Sequence, residues 1–257
     1  MKPLITFPEA IAIGLVFSRL IGFFISFPIF NSQVVPLNVR IMLIISLSFF
    51  IFHFSNVNIP NVSDINLVFL FMLVLKELLI GILLGVITHI FIAIFSYAAE
   101  LIGYFMGLTI ANIFDPTFGQ VSILDRFYIF LFYLLFLITG AYQYLIVGLV
   151  KSFEVVPLFE LKIDSGIFEY ILLKSSLIFL LALKMAFPFV IVLLMLNVAL
   201  ALVNRLIPQV NVFIVGLPMQ IFVGLLALSI GASGSILFAS YVMKLFTKIY
   251  LKAVMNI

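Results

Sequence analysis

The length of the apolar runs constrains this chain more than any other feature. Leu67 to Ala99 and Ile167 to Val203 each continue for more than 30 residues with few interruptions. About 20 apolar residues already cross the hydrocarbon core of a bilayer. Both runs therefore exceed one upright crossing, and they must tilt, bend or continue beyond the lipid. Four further runs extend over Ala10 to Phe30, Ile41 to Phe54, Phe127 to Val150 and Val210 to Val242, and the second of the six is short for a full crossing. Membrane strands would alternate apolar and polar residues over about ten positions, whereas these runs are apolar on every face. Helices also satisfy their backbone groups internally, as lipid requires. The pattern predicts an all-α polytopic membrane protein of about six long hydrophobic helices. Pro188 and Pro218, inside apolar runs, are expected to kink theirs.

Composition supports the same solvent. Of 257 residues, 66% are hydrophobic and 9% are charged, against roughly 45–50% and 25% in soluble domains. The absence of cysteine excludes a disulfide framework, a thiolate metal site and a cysteine nucleophile. A net charge of +3 is too small and dispersed for a nucleic-acid surface. Lys244, Lys248 and Lys252 share one helical face and read as a solvated helix end among lipid head groups. Pro3, Pro8 and Glu9 interrupt the start and Arg19 sits inside the first run, so that run reads as a retained span rather than a cleaved signal. With six crossings, the basic residues near the segment ends place both termini in the cytoplasm.

Several charges stand where lipid would be costly. Arg19, Lys76, Glu77, Glu100, Lys174, Lys184 and Arg205 lie within or beside apolar runs. A charge at the bilayer centre costs about 2.5–3.5 kcal/mol on insertion scales. Arg19 and Glu77 are expected to pair between helices or to face a polar pathway, and Lys184 is a further candidate for that pathway. Lys174 and Arg205 fit snorkelling from helix ends equally well. Glu77, Gly81 and Gly85 are spaced by four and share a face, and the glycine pair permits close helix approach. Gly103 and Gly107 repeat the spacing.

The stretch GYFMGLTIANIFDPTFGQVSILDR, Gly103 to Arg126, breaks the apolar pattern without becoming polar. Glycines, Asn112, the turn-forming Asp115-Pro116 pair and Gly119 interrupt it, while Phe105, Met106, Leu108 and Phe114 keep it apolar. Such a loop suits a cavity inside protein; an interfacial helix is the alternative. No HExxH, GxSxG, P-loop or dinucleotide glycine pattern occurs. The two histidines, His53 and His89, lack metal-ligand spacing to any carboxylate. No enzymatic activity and no cofactor are expected.

Three motifs in order, FSRLIGFFISFPIFNSQVVPLNVRIML, GYFMGLTIANIFDPTFGQ and ALVNRLIPQVNVFIVGLPMQIFVGLLAL, resemble the FliR/SctT family of type III secretion export gate subunits, with the flagellar branch favoured over the virulence branch. The resemblance covers most of the chain. It implies helical hairpins within a multi-subunit gate in the bacterial inner membrane, at the flagellar basal body. It implies FliP-like and FliQ-like partners, FlhB-like and FlhA-like export proteins nearby, and unfolded flagellar proteins as cargo. It divides the chain into a FliP-like part, residues 1–166, and a FliQ-like hairpin, residues 167–257. The plug loop of the family maps onto residues 103–122, with Gly103, Phe105, Met106, Gly107, Leu108, Asn112, Phe114, Asp115, Pro116 and Gly119 as its candidates. Asn204, Arg205, Pro208 and Asn211 map onto the hairpin turn. A secondary transporter for a small solute is the alternative class suggested by the intramembrane charges, and a purely scaffolding subunit is a third.

Overall fold

A computed structural model of the chain describes residues 6–28, 35–54, 66–108, 123–161, 166–207 and 212–255. All regular structure among them is helical: α1 (Phe7–Ser26), α2 (Leu37–Phe54), α3 (Leu67–Phe105), α4 (Ile123–Ile138), α5 (Ala141–Val155), α6 (Gly166–Ser175), α7 (Leu177–Leu206) and α8 (Val212–Met255). The chain is an all-α, polytopic membrane protein. Four spans are long and apolar enough to cross a bilayer, α6 and α7 counting together as one, or five if the pair broken between α4 and α5 is one bent span.

Boundaries differ from the apolar runs in instructive ways. The first helix begins at Phe7 rather than Ala10, because Pro8 and Glu9 start it instead of interrupting it. The Thr6 backbone N–H donates to the Glu9 carboxylate at 2.7 Å, half of a capping box, and proline suits the first helical turn. The run Phe127 to Val150 is two helices. They separate at Thr139 and Gly140, where Gly140 takes φ +70°, a conformation that costs other L-residues about 1–2 kcal/mol. The fifth run breaks at Ser176, between α6 and α7. Pro188 and Pro218 lie inside α7 and α8.

Four hydroxyls in these helices bond back to their own turn. Ser26, Ser48, Thr139 and Ser235 donate to the carbonyls of Gly22, Ile44, Leu135 and Gly231 at 2.7–3.1 Å.

Contacts divide the chain into two compact units interleaved along the sequence. The first holds residues 1–90, 141–174 and 246–257, and the second residues 91–140 and 175–245. In the first, α1 packs on α2 and crosses α3 at backbone distance. A Cβ added at Gly22 would meet the Leu78 carbonyl and lie 3.1 Å from the Ile82 nitrogen; one at Gly81 would lie 2.7 Å from the Phe23 nitrogen. In the second unit, Phe95 of α3 stacks edge-on against Phe132 of α4, centroids 5.2 Å apart. Gly231 of α8 receives the Phe189 ring of α7.

Candidate functional site

Two arrangements bring chemically distinctive residues together, one in each unit. The first grows from the close crossing of α1 and α3. One turn before the contact glycines, Arg19 and Glu77 face each other with no exposed side-chain surface, and the Arg19 Nε donates to Glu77 Oε2 at 2.5 Å. The remaining guanidinium donors reach the end of α5. Nη1 donates to the Ser152 carbonyl at 2.6 Å and to its hydroxyl at 3.0 Å, and Nη2 to the Val156 carbonyl at 2.9 Å. The Phe153 ring lies 4.0 Å beneath the guanidinium carbon, within cation–π range.

Lys76 completes the cluster. Its ammonium pairs with Glu77 Oε1 at 2.6 Å and donates to the carbonyls of Pro157, Leu158 and Glu160 at 2.8, 3.2 and 2.9 Å. The last carbonyls of a helix have no intrahelical donor, and cationic side chains there offset both the missing bonds and the helix dipole. One carboxylate, two cations and five carbonyls thus converge, with the three charged side chains buried and the Pro157 and Glu160 carbonyls at the exposed rim. Chemically this is a clamp on the α5 terminus, with each cationic nitrogen bonded to a protein acceptor.

The second arrangement holds the root of the central loop. Gly103 and Phe105 belong to α3, which runs on past Ala99. Met106 and Gly107 then turn the chain, with Gly107 at φ +73°. Met106 is wholly buried and is seated on Gly224 of α8, where an added Cβ would come within 2.7 Å of the Met106 Cε. An added Cβ at Gly107 would lie 2.8 Å from both Gln220 Oε1 and Leu217 Cδ2. Gln220 in turn donates to Asn197 of α7 at 2.6 Å. Leu108 is half-buried at the end of this root. Asn112, Phe114, Asp115, Pro116 and Gly119 lie outside the described residues. Beyond them, the buried Asp125 in the first turn of α4 accepts a hydrogen bond from Ser96 of α3.

The other candidates are dispersed. Gly81 and Gly85 serve the α1 crossing. Lys184 is exposed on α7, as are Asn204 and Arg205 in its last turn, while Pro208 and Asn211 lie outside the described residues. Sequence reasoning missed the carbonyl acceptors of the clamp, which no residue type announces. It also missed Asn197 and Gln220, which two amides inside apolar helices could have signalled. Among the described residues no three His, Asp or Glu side chains converge as a metal site.

Fold and clusters together define a multi-pass helical membrane protein whose polar groups are spent on internal clamping and on rooting one loop. The chain belongs to the bacterial export proteins, family 1, whose family model matches residues 10–248. It is similar to the flagellar biosynthetic protein FliR of Aquifex aeolicus (strain VF5), 34% identical over 85% of this chain and 84% of that protein. The FliR of Bacillus subtilis (strain 168) is 34% identical over 83% of each. That of Escherichia coli (strain K12) is 33% identical over 90% of this chain and 87% of its own length.

Proposed function

We propose that the chain is a non-enzymatic channel subunit of the flagellar type III protein export gate, helping to form and close the pore through which unfolded flagellar proteins leave the cell. Membership of the export family supports the general role. The observation that carries the closing role is the root of the central loop. Met106 and Gly107 are fixed to α8 through Gly224, Leu217 and Gln220, so the apolar residues that follow start from a defined point. Methionine and phenylalanine side chains adapt to irregular surfaces, which suits a seal around chains of many sequences.

In this reading the chain sits in the inner membrane at the basal body, with FliP-like and FliQ-like subunits around it and FlhB-like and FlhA-like proteins nearby. Residues 167–257, holding α6, α7 and α8, form the FliQ-like hairpin, with its turn at Asn204 to Asn211. Residues 1–166 form the FliP-like part. Deleting Gly107 to Asp115 tests the plug: the assembled gate is expected to leak ions and small solutes across the membrane. An intact barrier in a correctly assembled complex overturns the plug role. Co-purification with FliP-like and FliQ-like chains tests the assembly, and a stable solitary chain overturns it.

A further inference from the structure

From Leu75 onward one face of α3 is exposed or half-buried, and its chemistry changes part-way. At 3.6 residues per turn, Leu75, Leu79, Ile82, Val86, His89, Ala93, Tyr97, Glu100 and Tyr104 fall on a single stripe. The neighbouring positions Leu73, Leu84, Ile94, Ala98, Ala99 and Ile102 are buried. From Leu75 to Val86 the stripe is aliphatic and matches lipid. From His89 it turns polar, and its last two turns present Tyr97 (44% exposed), Glu100 and Tyr104 (66% exposed); one side of the Tyr97 ring meets the exposed Phe179 of α7, centroids 5.8 Å apart. Among the described residues no cation pairs with Glu100.

An unpaired carboxylate flanked by two phenols is a poor match for hydrocarbon. It is also a poor match for a tightly packed neighbouring helix, since membrane helix interfaces favour small residues and satisfied polar groups. Water is the solvent that suits all three. The stripe ends at Tyr104, two residues before the buried Met106 that roots the central loop. Tyrosine offers a broad apolar face with one hydrogen-bonding tip, so it contacts a peptide backbone and mixed side chains without selecting a sequence.

Resting on the channel reading above, we infer that Tyr97, Glu100 and Tyr104 line the wetted path and touch the extended polypeptide as it passes. The chain contains no cysteine, so each substitution gives it a single thiol, read on this chain's own band. Tyr97→Cys, Glu100→Cys and Tyr104→Cys are each placed in the full chain within the assembled apparatus, with Leu75→Cys and Leu79→Cys as same-face controls. All five positions are exposed, and assembly of each variant is checked before labelling. A charged, membrane-impermeant maleimide is expected to label the three polar positions about tenfold or more faster than the controls, because a thiol in apolar surroundings is not ionised. An export substrate fused to a tightly folded domain, stalled in transit, is expected to protect the three and to cross-link to them.

Labelling no faster than at Leu75 and Leu79 overturns the inference, as does cross-linking to a neighbouring subunit in place of the stalled chain. The channel reading has its own separate readout. If removing the whole chain leaves flagellar secretion intact, that reading fails; if secretion is lost while the three cysteines stay unlabelled, only the lining assignment fails.

Discussion

At the scale of single residues, Glu77 decides whether two cations can stay buried. Removing one partner of a buried ion pair costs about 3–5 kcal/mol, mainly because the other charge is left uncompensated. Glu77→Leu leaves both Arg19 and Lys76 without their carboxylate, and a loss of that order is expected, read as a lower midpoint of thermal unfolding in detergent. Adding Arg19→Leu to Glu77→Leu is expected to recover part of the loss, since one stranded charge is gone. Recovery stays incomplete because the Val156 carbonyl then loses its donor, at about 1–3 kcal/mol for a buried group left unpaired, whereas the Ser152 carbonyl keeps the Val156 N–H. Full recovery would mean that the α5 terminus needs no clamp.

At the scale of elements, two glycines in similar helices make opposite predictions. A side chain at Gly81 meets the backbone of α1, which cannot move aside, whereas a Cβ at Gly14 finds nothing within 4 Å. Gly81→Leu is expected to drive α1 from α3, seen as loss of a disulfide engineered across that crossing. Gly14→Ala is expected to be neutral or to stabilise by up to about 1 kcal/mol through helix propensity. Gly140→Ala is expected to lower stability by about 1–2 kcal/mol, since its left-handed φ suits no side chain, and the same melting measurement checks it. These elements were legible in unequal measure. Long apolar runs located the helical regions, because burial in lipid leaves so strong a compositional mark, although six runs became eight helices among the described residues and the last continues past Val242 to Met255. The Thr139-Gly140 break left no such mark, since one small residue barely alters the hydropathy of a run. The start of α1 was misread because Pro8 and Glu9 look like interruptions until capping is considered. Glu77, Gly81 and Gly85 could be placed on one face by spacing alone, but their partner on α1 required coordinates.

At the scale of the whole molecule, apolar surface is left over. Only 6% of the most apolar window of α8 is buried within the chain, against 61% for α3. Exposed patches so extensive mark lipid or protein interfaces. Backbone hydrogen exchange in α8 is expected to slow when the purified chain is joined by its FliP-like and FliQ-like subunits, and unchanged exchange would argue for lipid as the only cover. The clamp carries a different consequence, one of timing. Lys76 finds its first carbonyl on Pro157, 81 residues further along the chain. At about 5–20 residues per second, the usual range of synthesis, that acceptor emerges roughly 4–16 s after the lysine. Arg19, Lys76 and Glu77 can pair early, but both cations must wait for their carbonyl acceptors in an unfinished membrane intermediate. A ribosome halted short of Pro157 therefore leaves a nascent chain whose Lys76 ammonium has its carboxylate but none of its carbonyl acceptors, a natural handle for whatever machinery retains or discards incomplete membrane proteins.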